Sequence, residues 1–392
     1  MTYRELIDLY KEGKLDETQH ERVKNDIERQ EVISEYLFER DDVFGTEHFE
    51  EECVPVNISE EEQFTKMMKT AIRKAFVKMG IVVGAVVLVI GFLFVFAVPK
   101  IVNLFYYNPG EIVGARGGFE TNRMSLDFAI YSELFLPESF RDTVYVEEEG
   151  YGKYSINVIQ NTSYTKLFTN VAGKVERNKL TLYDSNLLSE PTGNAFVRDI
   201  PGVEDYCVGV GPAGEADDAM KALQELNDQE CYVAYVTLSE VMTYSEFVEW
   251  CEKEDSAIYP SWCAIAQKTN EGYMCDENIG FNYGGGYSAM YHEGKYSYLS
   301  QWDVGQTTAE ENDWVASEEV TTQHVISMLR YMSEQETFNK MMECETDYSY
   351  IADSVEEQGL HIYGFVMIGK KKDILETSND ENVAYIYTKP MR

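Results

Sequence analysis

Positive charge, proline and histidine are scarce in this chain. Its 392 residues hold 33 Lys or Arg against 69 Asp or Glu, a formal net charge of -36, with only 9 Pro and 5 His. So acidic a surface repels phosphate backbones and anionic lipid over much of its area, which excludes direct nucleic-acid binding. The low proline content, together with 44% hydrophobic and 13% aromatic residues, excludes a disordered or low-complexity polymer. Recognised catalytic and metal-binding patterns are missing too. The 7 Cys contain no CxxC pair, no HExxH occurs, and no Ser or Cys sits in a nucleophile elbow. Gly284, Gly285 and Gly286 are not followed by Lys-Ser or Lys-Thr, so they read as a sharp turn rather than a phosphate loop. The sequence therefore assigns no catalytic residue, no metal and no cofactor, and the chain reads as a non-enzyme.

Long apolar runs are also absent, with one exception. Between Lys78 and Lys100 there is no charged residue, and Met79 to Pro99 is rich in Val, Ile, Leu and Phe. As a helix those residues span roughly 32 Å, enough for a hydrocarbon core of about 30 Å. The run starts too far along the chain for a secretory signal. Lys66, Lys69, Arg73, Lys74 and Lys78 precede it, and only Lys100 closely follows. That asymmetry predicts a cytoplasmic N-terminus and an outer C-terminal domain, with Phe105, Tyr106 and Tyr107 at the outer interface. The expected localisation is the cell membrane, crossed once.

The predicted architecture is α+β: an N-terminal helical segment, one transmembrane helix and an extracytoplasmic mixed α/β domain on a mixed sheet. Boundaries are expected at 1–40 (helical segment), 41–62 (acidic linker), 63–78 (basic juxtamembrane helix), 79–101 (transmembrane helix) and 102–392 (outer domain). The outer domain divides further, as a working expectation, into 102–200 and 201–392. Of its cysteines, Cys207, Cys231, Cys251, Cys263, Cys275 and Cys344 are an even set in an oxidising compartment, where up to three disulfides of undetermined pairing can form. Six buried free thiols are the alternative.

In the first segment, Leu6, Leu9 and Tyr10 lie at helical spacing before Gly13. A second helix is predicted from Glu17 to Arg40, with Asp16 as N-cap. It carries Val23, Ile27 and Leu37 near one face, Val32 opposite, and Ile33 and Tyr36 between. That apolar surface is too wide for two small helices to bury against each other, so part of it is expected to meet a partner. Residues 1–62 hold 20 acidic against 7 basic residues, a surface suited to a basic protein, although a solvated charge run is the commoner fate of such a segment. Ser59 and Glu62 predict a capping box. Phe64, Met67, Met68, Ala71, Ile72, Ala75 and Phe76 then form a stripe for lipid headgroups or a protein.

In the outer domain, strands are predicted at 143–148 and 154–160 (a hairpin around Gly150 and Gly152), 231–238, 257–266, 360–368 and 383–388. Helices are predicted at 239–252, 318–342, 351–358 and 371–376.

The stretch MTYRELIDLYKEGKLDETQHERVKNDIERQEVISEYLFER, a basic helix, one span, and the stretches CYVAYVTLSEVMTYSEFVEWC and GLHIYGFVMIGKKKDILETSNDENVAYIYT together resemble the bacterial sigma factor regulators, which are membrane-anchored anti-sigma factors. The resemblance implies cytoplasmic helices that sequester an extracytoplasmic-function sigma factor, with Leu6, Leu9, Tyr10, Val23, Ile27, Val32, Ile33, Tyr36 and Leu37 as partner-binding residues. It further implies an outer domain that governs release, a lipid bilayer as environment and a regulatory protease as a further partner. The zinc pattern of many anti-sigma domains, a His three residues before a CxxC, is absent, so the implied clamp is zinc-free. The competing reading is a cell-surface receptor or ligand-binding protein with a membrane anchor and no role in transcription. His292, His324 and His361 read as structural or surface residues rather than a hydrolase site.

Overall fold

A computed structural model describes residues 7, 9–39, 60–116, 118–137, 139–162, 168–184, 195–196, 203–204, 212–253, 258–275, 279–283, 292, 294–299 and 317–391. The chain forms two compact units, Met1–Val82 and Val83–Arg392.

Helix α1 is described at Ile7 and residues 9–11. Its end follows from Gly13, whose φ of +66° is strained for any residue with a Cβ. The Gly13 N–H bonds the Tyr10 carbonyl at 3.2 Å and the Lys14 N–H bonds the Leu9 carbonyl at 3.0 Å, the paired closure of a Schellman motif. Helix α2, Glu17–Glu39, opens on the predicted cap, with the Gln19 N–H donating to Asp16 Oδ1 at 2.8 Å. The acidic connector and the Ser59 half of the capping box lie outside the described residues.

Helix α3, Glu60–Phe92, passes into a π-helical stretch, Leu93–Ala97, and then α4, Val98–Asn103. Together they include one helical run, Phe64–Asn103, long and apolar enough to cross a membrane. The sequence predicts a plain α-helix throughout, whereas the structure widens one turn just before Pro99. In that turn the Val98 N–H reaches the Leu93 carbonyl, five residues back.

Beyond the run, β1 (Ile112–Arg116) pairs with β2 (Phe119–Asn122), and α5 follows at Arg123–Phe135. Asn122 caps α5 by accepting from the Ser125 N–H at 2.9 Å. A four-stranded antiparallel sheet comes next, in the order β3 (Ser139–Gly150), β4 (Lys153–Thr162), β5 (Phe168–Glu176), β6 (Leu180–Leu182). The predicted hairpin is its first pair. Tyr151 and Gly152 form its two-residue loop with φ of +57° and +71°, the doubly left-handed turn that suits strand twist.

The remaining strands and helices are β7 (Val203–Glu204), α6 (Ala216–Gln224), β8 (Cys231–Thr243), α7 (Tyr244–Cys251), β9 (Pro260–Lys268), β10 (Tyr273–Met274), β11 (Gly280–Asn282), α8 (Glu318–Glu334), α9 (Glu336–Met341), α10 (Tyr348–Gln358), β12 (His361–Lys370), α11 (Lys371–Ser378) and β13 (Val383–Pro390). The large sheet runs β13-β8-β12-β9-β10-β7, with β11 also on β9. It is mixed at one edge alone among the described residues, where β7 and β10 run parallel; the other pairings are antiparallel.

Two predicted elements need correction. The helix expected at 239–252 starts only at Tyr244, because β8 continues to Thr243. There a capping box with Glu246 opens the helix. The helix expected at 318–342 is two, broken at Gln335, whose φ and ψ of -92° and 49° leave the helical region. The glycine turn at 284–286 lies outside the described residues. The expected subdomains 102–200 and 201–392 share one core, in which Val144, Ile156 and Val175 join the same cluster as Phe247, Leu329 and Phe365.

That core is close-packed where β11 crosses β9. A Cβ on Gly280 would lie 2.1 Å from the Cys263 carbonyl oxygen and 2.2 Å from the fully buried Trp262 ring. Gly280→Ala is expected to cost on the order of 2 kcal/mol by overpacking. A chemical-denaturation midpoint of the purified chain in detergent, followed by tryptophan fluorescence, measures that loss.

Candidate functional site

Two groups of residues carry functional potential: the exposed apolar positions of the first unit, and a buried polar network in the second.

In the first unit, Tyr10 and His20 bring their rings to 4.5 Å between centroids, joining α1 to α2. Val23 is buried at 2% exposure, and Leu9 and Tyr10 are half-buried. Val23 therefore serves the segment's own packing. Ile27 is partly open and Val32 stands 63% exposed. Leu6 and the side chains of Ile33, Tyr36 and Leu37 lie outside the described residues. Of the nine predicted partner-binding residues, Ile27 and Val32 are thus the described ones that present open apolar surface. The stripe on α3 is open as well, with Phe64, Met67, Met68, Ile72 and Phe76 all exposed.

In the second unit, α5 is buried nearly all round and carries two acidic residues into the core. Asp127 accepts from the Tyr107 hydroxyl at Oδ2 and from the Tyr331 hydroxyl at Oδ1, the latter at 2.6 Å. Burial pushes its carboxyl up to about 7, against which the two tyrosine hydrogen bonds and nearby Arg123 pull down. Glu133, two turns along the same helix, faces a different set of donors. Its Oε1 lies 3.0 Å from His324 Nε2 and accepts from the Asn282 N–H at 3.3 Å. Its carbonyl takes the Trp262 indole N–H at 2.7 Å.

The other ring nitrogen of His324 is 2.5 Å from the Tyr298 carbonyl. Both nitrogens thus face acceptors, which suits the doubly protonated ring. Burial by itself lowers the His324 pKa, but the Glu133 carboxylate and the Tyr298 carbonyl outweigh it and raise the pKa overall. A buried ion pair results, with both side chains about 4% exposed.

The other two histidines in this unit stand apart in surroundings. His292 packs edge-on against Tyr296 and Tyr331. His361, whose pKa is lowered by burial, lies 3.2 Å from the Gly359 carbonyl. Among the described residues no group of three or more His, Cys, Asp or Glu could hold a metal ion.

The cysteines expected as disulfide candidates sit on separate elements. Cys231, Cys251, Cys263, Cys275 and Cys344 are free thiols, and Cys207 lies outside the described residues. Burial pushes the Cys251 and Cys263 thiols up, which leaves them unreactive.

Sequence reasoning missed α5 altogether. A helix buried on every side, with Ser125, Asp127, Ser132 and Glu133 set among its apolar residues, shows no clean one-sided stripe, and its one local signal, Asn122 before the run, is common to many turns.

Rising pH is expected to destabilise this unit. The folded state holds the Asp127 proton more tightly than the unfolded chain does, whose ordinary value is 3.8. The contribution of Asp127 to stability is therefore fully present below about pH 4 and is lost as pH rises through about 7, by on the order of 4 kcal/mol. The raised His324 pKa adds to the same fall above its ordinary 6.5. Unfolding midpoints across pH 4 to 8 measure the slope, and Asp127→Asn is expected to flatten it.

His324→Gln should cost about 3 to 5 kcal/mol by leaving Glu133 buried without its charge partner. Pairing it with Glu133→Gln should recover part of the loss in a double-mutant cycle.

Residues 223–387 match the family model described as sigma factor regulator C-terminal. The matched stretch runs from Leu223, within α6, to Tyr387, within β13, and so contains β8 to β13 and His324, but not α5 or the four-stranded sheet. The match supports a sigma factor regulator family and a role in sigma factor regulation. No curated protein and no solved structure matches.

Proposed function

We propose, from the premise that residues 223–387 carry the sigma factor regulator C-terminal pattern, that this chain is a single-pass membrane anti-sigma factor. Its N-terminal helices sequester an extracytoplasmic-function sigma factor, and its outer unit governs release. The observation that carries this reading is the conjunction of that match with a 40-residue helical run, Phe64–Asn103, whose charge-free part is long and apolar enough to cross a membrane, and an acidic helical segment ahead of it.

Physical chemistry supports each step. A sigma factor engages nucleic acid through cationic faces, and a segment with 20 acidic against 7 basic residues competes for such a face. Exposed Val32 and Ile27 supply the apolar contact that turns attraction into residence, since buried apolar area rather than steering holds a complex together. Attachment to the bilayer keeps the bound protein away from its polymerase. The basic residues before the span favour a cytoplasmic N-terminus. On this reading the chain is regulatory rather than catalytic.

Co-purification of the full chain in detergent with a co-expressed extracytoplasmic-function sigma factor from the same genome tests the proposal. Val32→Asp is expected to weaken the complex at least about tenfold, by burying a charge at an interface, without loss of helix content. A chain that retains no such sigma factor in any pairing would favour the surface-receptor reading.

A further inference from the structure

The tip of the β3–β4 hairpin reaches back to the helical run that it follows in sequence. The Tyr151 hydroxyl donates to the Phe94 carbonyl at 2.9 Å, and Phe94 lies five residues inside the charge-free stretch that ends at Pro99. The Asn103 side chain accepts from the Gly152 N–H at 2.6 Å and donates to Glu148 Oε1 at 2.6 Å. Gly150 and Gly152 have no side chain because there is no room for one. A Cβ on Gly150 would lie 3.1 Å from Pro99, and one on Gly152 would lie 2.6 Å from the Tyr106 ring. The neighbouring turn between β5 and β6 closes on the same place, with the Arg177 N–H on the Gly152 carbonyl and Asn178 Oδ1 accepting from the Tyr107 N–H, each at 2.7 Å.

The Tyr151 bond has a reason in the helix. Within Leu93–Ala97 the backbone bonds reach back five residues, as the Val98 N–H does to Leu93. In that register the next donor, the one that would serve Phe94, belongs to Pro99, which has no N–H. An unserved carbonyl in hydrocarbon costs several kcal/mol, so the span needs a donor from outside itself. Tyr151 provides one. Beside this contact Leu104 is 83% exposed and Phe105 78% exposed, with Ile101 open too. These apolar groups adjoin the run without anything of the described residues covering them.

We propose that the β3–β4 hairpin tip is seated in the outer acyl-to-headgroup boundary of the bilayer, alongside the span, held there by Tyr151 on Phe94 and flanked by Leu104 and Phe105. The occupant of this surface is phospholipid. The depth is limited by charge, since Glu147, Glu148 and Glu149 lead into the tip and stay at headgroup level. Tyrosine suits the position because its ring enters the apolar layer while its hydroxyl still finds a partner. Tyr151, exposed at 39%, offers part of its ring to lipid.

The inference rests on the run crossing a bilayer, and one experiment separates the two. The full chain is reconstituted in phosphatidylcholine vesicles that carry a diazirine in the acyl chain, irradiated, digested with trypsin and mapped by mass spectrometry. The expected result is lipid adducts on the span, on residues 101–116 and on residues 142–153, with the peptides of 223–387 unlabelled. A span without adducts would overturn the membrane reading itself. A labelled span with no adduct on 142–153, or labelling spread over all outer peptides, would overturn the proposal and leave the membrane reading intact. In Tyr151→Phe the ratio of adducts on 142–153 to those on the span is expected to fall several-fold. An unchanged ratio would overturn the part given to the hydroxyl.

Discussion

The second unit is organised around the cost of placing two acidic side chains inside a core. A carboxyl group removed from water must have its oxygens met by donors, and a missing partner costs more than a formed one contributes. Helix α5 imposes that demand at Asp127 and Glu133, and the donors come from distant parts of the chain. Tyr107 precedes α5, and Tyr331, His324 and Asn282 lie about 150 to 200 residues beyond it. With both acids satisfied, the helix has one depth and one rotation that fit. Apolar packing alone, with Leu126, Phe128, Ile130 and Leu134 on different sides, would not select between near-equivalent settings so sharply. The polar bonds thus specify the arrangement more than they strengthen it.

That constraint also joins what the family match separates. The matched stretch begins at Leu223 and holds His324, Tyr331 and the antiparallel core of the large sheet, whereas the acids they satisfy belong to the residues before it. The Trp262 indole on the Glu133 carbonyl makes the same crossing. The matched region and the four-stranded sheet are therefore a single folding unit by virtue of α5. A change in the outer unit that turned α5 would have to remake the bond to Tyr107, four residues past the end of the membrane-length helix. In the proposed regulator, such an element gives an outer signal a physical connection to the span, since an effector acts only through contacts that differ between two states.

The first unit works by the opposite logic. Among its described residues Val23 alone of the large apolar side chains is buried, and Val32 stands open amid many carboxylates. In the proposed complex the acid would steer a cationic partner and the open apolar area would retain it. The free thiols of the second unit fit a core assembled by packing: Cys251, Cys263 and Cys275 are buried, and Cys231 and Cys344 are half-buried.

Much of this was legible in the residues. The Met79–Pro99 run, the Gly13 stop, the Asp16 cap, the GYG hairpin and the alternating strands at 231, 360 and 383 each announce themselves through local chemistry: a missing charge, a left-handed glycine, a side-chain acceptor, a period of two. Other features leave no local trace. Strand β8 overran its expected end because pairing with β12, which sets His361 opposite Thr243, rewards extended backbone up to that residue, and α5 escaped notice because its polar and apolar residues interleave while all are buried. The buried pairs Asp127 with Tyr331 and Glu133 with His324 span about 200 residues, and no spacing rule reaches that far. By itself the sequence determined the Gly13 stop, the Asp16 cap, the membrane-length run and the charge of each segment, since these depend on neighbours within a few positions. Tertiary structure alone decided which acids are buried, which apolar residues stay open and where a hairpin tyrosine finds its acceptor, because burial is a property of what the rest of the chain brings alongside.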